Sequence, residues 1–233
     1  MEMTPARLRK LCEDNDGYRT ASLNDKLYAH YKGFTRIDGL ADFTGLKVIW
    51  LEGNGLTVVE GLSTCTQLRT LYLQENLISE CGDGLAGLTS LVQLNLSKNA
   101  LRSLGGLGHL SALETLWAAN NNLDSADELA KLLPCTALQV LDLQGNRLAD
   151  SEACLRVLER MPALKVLYLQ GNPMVKATRH YRKTVLGRMQ QLKYLDDRPV
   201  FDDERERVDA WWAAYSRPWR EAAEAGGEGE GEG

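Results

Sequence analysis

The chain has 233 residues, of which 44% are hydrophobic and 25% charged, proportions that belong to folded globular proteins and exclude collagen-like, disordered and membrane-embedded polymers. The formal charge of −5 is uneven: residues 202–233 carry ten acids against four arginines, leaving 22 acids and 23 bases in residues 1–201. A neutral body of this kind lacks the basic footprint of a nucleic-acid binder.

No apolar run approaches the roughly 20 residues of a bilayer span, and the opening MEMTPARLRKLCEDND is too charged for a secretory signal, so a cytoplasmic protein with no membrane association is expected. The five cysteines are odd in number and show no CxxC or CxxH spacing, which argues against both a disulfide framework and a zinc site. In chain order, the first element is a helical cap within residues 1–22: Thr4 is an N-cap, Pro5 the first helical residue, and Leu8, Leu11 and Cys12 form the apolar stripe.

Leucine then dominates, with 40 copies against three isoleucines. The pattern LxxLxLxxN occurs six times, at 46–54, 68–76, 91–99, 113–121, 138–146 and 164–172, allowing Ile49 and Ala118 at leucine positions. Successive asparagines stand 22, 23, 22, 25 and 26 residues apart, within the range of leucine-rich repeats. The predicted fold is α/β, a right-handed solenoid spanning 23–172, with one short strand per coil in a parallel concave sheet and helical caps. Leu27, Ala29, Phe34, Ile37 and Leu40 fit a degenerate first coil with Lys32 in the asparagine slot. Asn54, Asn76, Asn99, Asn121, Asn146 and Asn172 are assigned a structural role, because a primary amide satisfies backbone groups inside a buried turn. Ala118 is expected to thin the fourth coil.

Behind each asparagine, apolar residues recur about every three positions, as in Leu56, Val59, Leu62 and Cys65, which suits tight turns or 3₁₀ segments on the convex side. The two longer repeats have room for helices at 126–133 and 151–161. Residues 173–201 read as a C-terminal cap, with a helix carrying Tyr181, Val185 and Met189 and a strand-like Leu192–Asp196 stretch written LKYLD. A C-terminal helix follows within 202–220, and the acidic Gly/Glu tail at 221–233 is expected to be disordered.

A search for chemistry finds no catalytic constellation. His30, His109 and His180 lie in different coils or caps without ligand spacing, and there is no Walker loop or nucleophile elbow. The cysteines fall in columns of buried hydrophobes, and a non-enzymatic chain without a cofactor is expected. The informative surface is the concave sheet, where residues between the inward leucines point outward. Its central column, Trp50, Tyr72, Asn95, Trp117, Asp142 and Tyr168, is rich in the large aromatics that anchor protein partners. Glu52, Gln74, Ser97, Ala119, Gln144 and Gln170 flank it with hydrogen-bonding groups. The competing explanation is that cross-strand stacking only stabilises the sheet. Trp211 and Trp212 form a secondary candidate, since adjacent residues cannot share one helical face. Residues 174–194 hold six basic residues and no acid, read as a solvated cap face.

Short repeats closed by a cap from Tyr181 to Asp196 resemble the leucine-rich family that includes phosphatase regulators, a spliceosomal protein and an axonemal dynein light chain. LNDKLYAHYKGF (23–34), GLKVIWLEGNGL (45–56) and YLDDRPVF (194–201) are more specific, and resemble the family of dynein axonemal assembly factor 1. That resemblance implies a monomeric cytoplasmic scaffold, with the cilium or flagellum as a further location, that helps to preassemble dynein arms, chiefly outer arms. Its implied partners are axonemal dynein subunits and chaperone-type assembly factors. A resident axonemal subunit like the dynein light chain and a phosphatase-regulatory protein are the alternatives. The family also carries a longer low-complexity C-terminal region.

Overall fold

The computed structural model describes residues 1–215. The expected Gly/Glu tail and the last residues of the 202–220 helix lie outside the described residues. Nine strands form one sheet in chain order. They are β1 (Lys26–Tyr28), β2 (Val48–Trp50), β3 (Thr70–Tyr72), β4 (Gln93–Asn95), β5 (Thr115–Trp117), β6 (Val140–Asp142), β7 (Val166–Tyr168), β8 (Tyr194–Leu195) and β9 (Arg198–Pro199). The first eight pair in parallel with no register slip, so Leu27, Ile49, Leu71, Leu94, Leu116, Leu141, Leu167 and Leu195 stand side by side. All eight are fully buried. The degenerate first unit therefore supplies a complete rung, and the LKYLD stretch supplies another.

The asparagines explain why every coil turns at the same place. Asn121 is representative: its Oδ1 accepts from Leu101 N, while its Nδ2 donates to the Leu96 and Ala118 carbonyls, all at 3.0 Å. The shared carbonyl links neighbours, since Ala118 O also accepts from Asn146 and Leu96 O from Asn99. A continuous side-chain ladder thus runs through the coils on groups that would otherwise be buried without partners. The residue before each of these slots has left-handed backbone: Tyr31, Gly53, Glu75, Lys98, Asn120, Gly145 and Gly171 all have φ between 50° and 81°. Glu75, Lys98 and Asn120 hold that conformation without being glycine; at Gly53 the Tyr31 ring lies in the space a Cβ would take.

The convex side holds the expected apolar columns, with Leu56, Val59, Leu62 and Cys65 buried. Short 3₁₀ turns occupy Gly82–Leu85 and Leu107–His109. Ala118 is fully buried. Helix α1 (Pro5–Glu13) begins at Thr4, whose hydroxyl accepts from Arg7 N, and buries Leu8 and Cys12. Helix α2 (Ala126–Ala130) is shorter than the expected 126–133, because beyond Ala130 the chain tightens into i→i+3 turns, Leu132 N to Leu129 O and Leu133 N to Ala130 O, ahead of Pro134. Helix α3 (Ser151–Leu158) likewise stops short of 161, ahead of Pro162; the Asp150 carboxylate caps its start at Ala153 N.

The C-terminal cap is more elaborate than the repeat pattern implies. Pro173 ends the last repeat by starting a helix, α4 (Pro173–Ala177), where its missing N–H costs nothing. Helices α5 (Tyr181–Arg188) and α6 (Asp202–Tyr215) pack on each other. Between them β8 turns back into the antiparallel strand β9, which periodicity does not anticipate.

Candidate partner-binding face

Parallel register brings the central outward column together across the sheet: Trp50, Tyr72, Asn95, Trp117, Asp142 and Tyr168 are successive neighbours. The column gains a seventh member, Tyr28, paired with Trp50. Its position was readable, since Leu27 and Ala29 flank it as Ile49 and Leu51 flank Trp50. All seven side chains are half-buried rather than freely exposed, because each is pressed between its neighbours on adjacent strands.

The aromatics do not form one continuous stack. Tyr28, Trp50 and Tyr72 do, with ring centroids 4.5 Å and 5.7 Å apart and planes inclined by 14° and 18°. Asn95 and Asp142 interrupt the series on either side of Trp117. Each turns its side-chain oxygen to its own backbone, at Ser97 N and Gln144 N, both at 3.0 Å. Burial raises the Asp142 carboxyl pKa, opposed by the Gln144 bond and assisted by the charge of Asp196. Tyr168 meets Tyr194 of β8 at 5.7 Å, and burial with the nearby Tyr194 and Asp142 raises its phenol pKa.

The flanking column runs His30, Glu52, Gln74, Ser97, Ala119, Gln144 and Gln170, as the backbone ladder shows in the bonds from Tyr31 N to Glu52 O, Gly53 N to Gln74 O and Glu75 N to Ser97 O. His30, two residues after Tyr28 in the degenerate coil, extends this column by one beyond the positions named from the sequence. Along the outer rim, Tyr31 Oη donates to Glu75 Oε2 and Lys98 Nζ to Glu75 Oε1, both at 2.8 Å. Lys98 and then Tyr31 hold the Glu75 carboxyl below its usual range, and Glu75 in turn raises both partners.

The secondary candidates divide. Trp212 lies on Gly187 of α5, so closely that a Cβ there would stand 2.6 Å from the indole. Trp211 stacks on Tyr215 at 4.5 Å, meets His180 edge-on and carries Lys183 Nζ above its ring. The basic stretch is also partly neutralised: Arg182 pairs with Glu204, and Arg188 with Glu152 and Glu159. No group of three or more His, Cys, Asp or Glu with metal-holding geometry occurs among the described residues.

With this geometry in view, the family model described as leucine-rich repeat matches residues 86–217. The chain belongs to the leucine-rich-repeat family. Within it, the chain is homologous to dynein axonemal assembly factor 1. It is 58% identical over 209 residues to that protein of Peromyscus polionotus, covering 90% of this chain and 33% of the relative. It is 51% identical over 209 residues to leucine-rich repeat-containing protein ODA7 of Chlamydomonas reinhardtii, covering 90% and 48%. The chain therefore spans less than half the length of these curated relatives. Among solved leucine-rich-repeat structures, internalin C2 of Listeria monocytogenes matches 84% of this chain and 98% of its own at a TM-score of 0.57 and 20% identity, a likeness of fold alone.

Proposed function

We propose that the chain is a non-enzymatic, monomeric scaffold that holds a protein partner against the outward face of its sheet and serves, in the cytoplasm, in assembling axonemal dynein for cilia or flagella, chiefly the outer arms. Axonemal dynein subunits and chaperone-type assembly factors are the partners this reading names. The observation that carries it is the row of Tyr28, Trp50, Tyr72, Trp117 and Tyr168 on one face of a chain 58% identical over 209 residues to a dynein axonemal assembly factor. Stacking accounts for Tyr28, Trp50 and Tyr72; it leaves Trp117, between Asn95 and Asp142, without a ring beside it on either adjoining strand.

The test is capture of dynein arm subunits from cytoplasmic extract of ciliated cells by the wild-type chain and by the W50A/W117A double variant. Three strand spacings put the two indoles roughly 14 Å apart, but both touch one partner, so the sum of their separate effects is an upper bound. At about 2 kcal/mol per anchor, affinity should fall by up to roughly a thousandfold while circular dichroism stays unchanged. Equal capture by the folded variant would overturn the reading.

A further inference from the structure

Three adjacent side chains of the flanking column carry buried polar atoms with no hydrogen-bond partner among the described residues: His30 Nδ1, Glu52 Oε2 and Gln74 Oε1. They sit on β1 to β3 next to the one continuous aromatic stack, Tyr28, Trp50 and Tyr72. Two of the three atoms are oxygens that only accept. Glu75, the other acid on this part of the face, is already matched by Lys98, whereas Glu52 forms no ion pair among the described residues. The result is an uncompensated carboxylate and an amide oxygen on neighbouring strands beside stacked aromatic rings.

From this we infer that the face built by Trp50, Glu52 and Gln74 is a subsite for an arginine side chain of the bound protein. The inference rests on the reading that partners bind this face, and names the chemistry they must present there. Neighbouring parallel strands lie about 4.8 Å apart, a distance a guanidinium fork spans with two N–H groups, one to Glu52 and one to Gln74 once their side chains rotate outward. Both faces of the Trp50 indole are covered by Tyr28 and Tyr72, so the guanidinium lies beside the outer edge of that stack and is held by the two acceptors. An ammonium is a point charge without the planar fork that reaches both acceptors at once.

The probes are acetyl-arginine amide, acetyl-lysine amide and acetyl-citrulline amide, the last matching arginine in shape without its charge. Each is titrated at constant ionic strength into ¹⁵N-labelled protein while the Trp50 indole N–H signal, assigned with W50F, is followed by NMR. Arginine amide should give a saturable shift in the millimolar range expected of so small a ligand. Lysine and citrulline amides should bind about tenfold more weakly or not at all, and E52Q should weaken the arginine titration about tenfold while D203N, on the exposed face of α6, leaves it unchanged. Absence of a saturable Trp50 shift, equal binding of lysine or citrulline, or no effect of E52Q would each overturn the inference. Failure here with Trp50-dependent capture of dynein subunits intact removes only the arginine subsite; the opposite pattern removes the functional reading and leaves the subsite standing.

Discussion

Arg182 and Glu204 meet at two points, Nε to Oε1 and Nη2 to Oε2, both at 2.7 Å. The same guanidinium donates to the carbonyls of Leu195 on β8 and Pro199 on β9. One side chain of α5 therefore fastens the last parallel strand, its antiparallel return and helix α6. Its counterpart Arg205, on α6, donates to Leu186 and Leu192 carbonyls, so the tie runs in both directions.

Both members of the Arg182–Glu204 pair are largely shielded, with side chains 15% and 22% exposed. Truncating Glu204 to alanine should cost about 2–3 kcal/mol by urea unfolding at pH 7, since it leaves a shielded guanidinium short of its anion. The paired Arg182 holds the Glu204 carboxyl below its usual range. Its contribution is therefore complete above the unfolded carboxyl's pKa and disappears as pH falls through the lower folded value. Glu152, lowered chiefly by Arg188, acts in the same direction. Wild-type stability should decline below about pH 4.5, the ordinary glutamate value, and E204Q should show a shallower decline. Equal slopes would show that the pair is not formed in solution.

For the asparagine ladder, N121A should destabilise the protein by about 3 kcal/mol, because it orphans the buried Leu101 N–H and removes one of two donors from both the Leu96 and Ala118 carbonyls. Asn99 is only half-buried, and N99A should cost less. Denaturant melts of the two variants decide the order.

At the cap, G187A should lose about 1–3 kcal/mol despite alanine's better helix propensity, because the new methyl meets the rigid indole of Trp212. The W212A background should abolish most of that cost, since the obstacle is gone. A double-mutant cycle by chemical unfolding measures the coupling.

The thiols offer a simpler measurement. All five cysteines are free and buried. Burial pushes Cys81 up to about 12 and Cys135 and Cys154 to about 11. Little thiolate exists at pH 8, so a disulfide reagent should react slowly with native protein and rapidly with all five positions after unfolding. A fast native equivalent would mean that one coil opens locally.

How much of this was legible in the sequence follows the range of the forces involved. The Leu71, Leu94 and Asn121 positions, the Thr4–Pro5 helix start and the 202–215 helix were readable because periodicity and capping are local. Tyr28 and His30 were within reach of the same arithmetic, since Leu27, Ala29 and Lys32 already set the register of their coil. The helices of the two longer repeats end at Ala130 and Leu158, four residues before Pro134 and Pro162, where tight turns replace the helix that apolar spacing suggests. By contrast, Arg182 finds partners 13 to 22 residues away, and Trp212 finds Gly187 across two helices; no spacing announces such contacts. Within the binding face, the columns were predictable but the inward turn of Asn95 and Asp142 was not, since it depends on which rotamer the local backbone rewards.

Strand β9 has a consequence for how such an array grows. A parallel sheet invites another strand at its open margin, and eight rungs in one register would make that invitation strong. Here the margin is occupied by a two-residue strand of opposite polarity that includes Pro199, a residue with no N–H to offer. Neither a second molecule nor an appended coil finds a template there. Lengthening this solenoid during evolution, or by design, therefore has to proceed by duplicating a coil in its interior and carrying the closing hairpin outward as an intact unit.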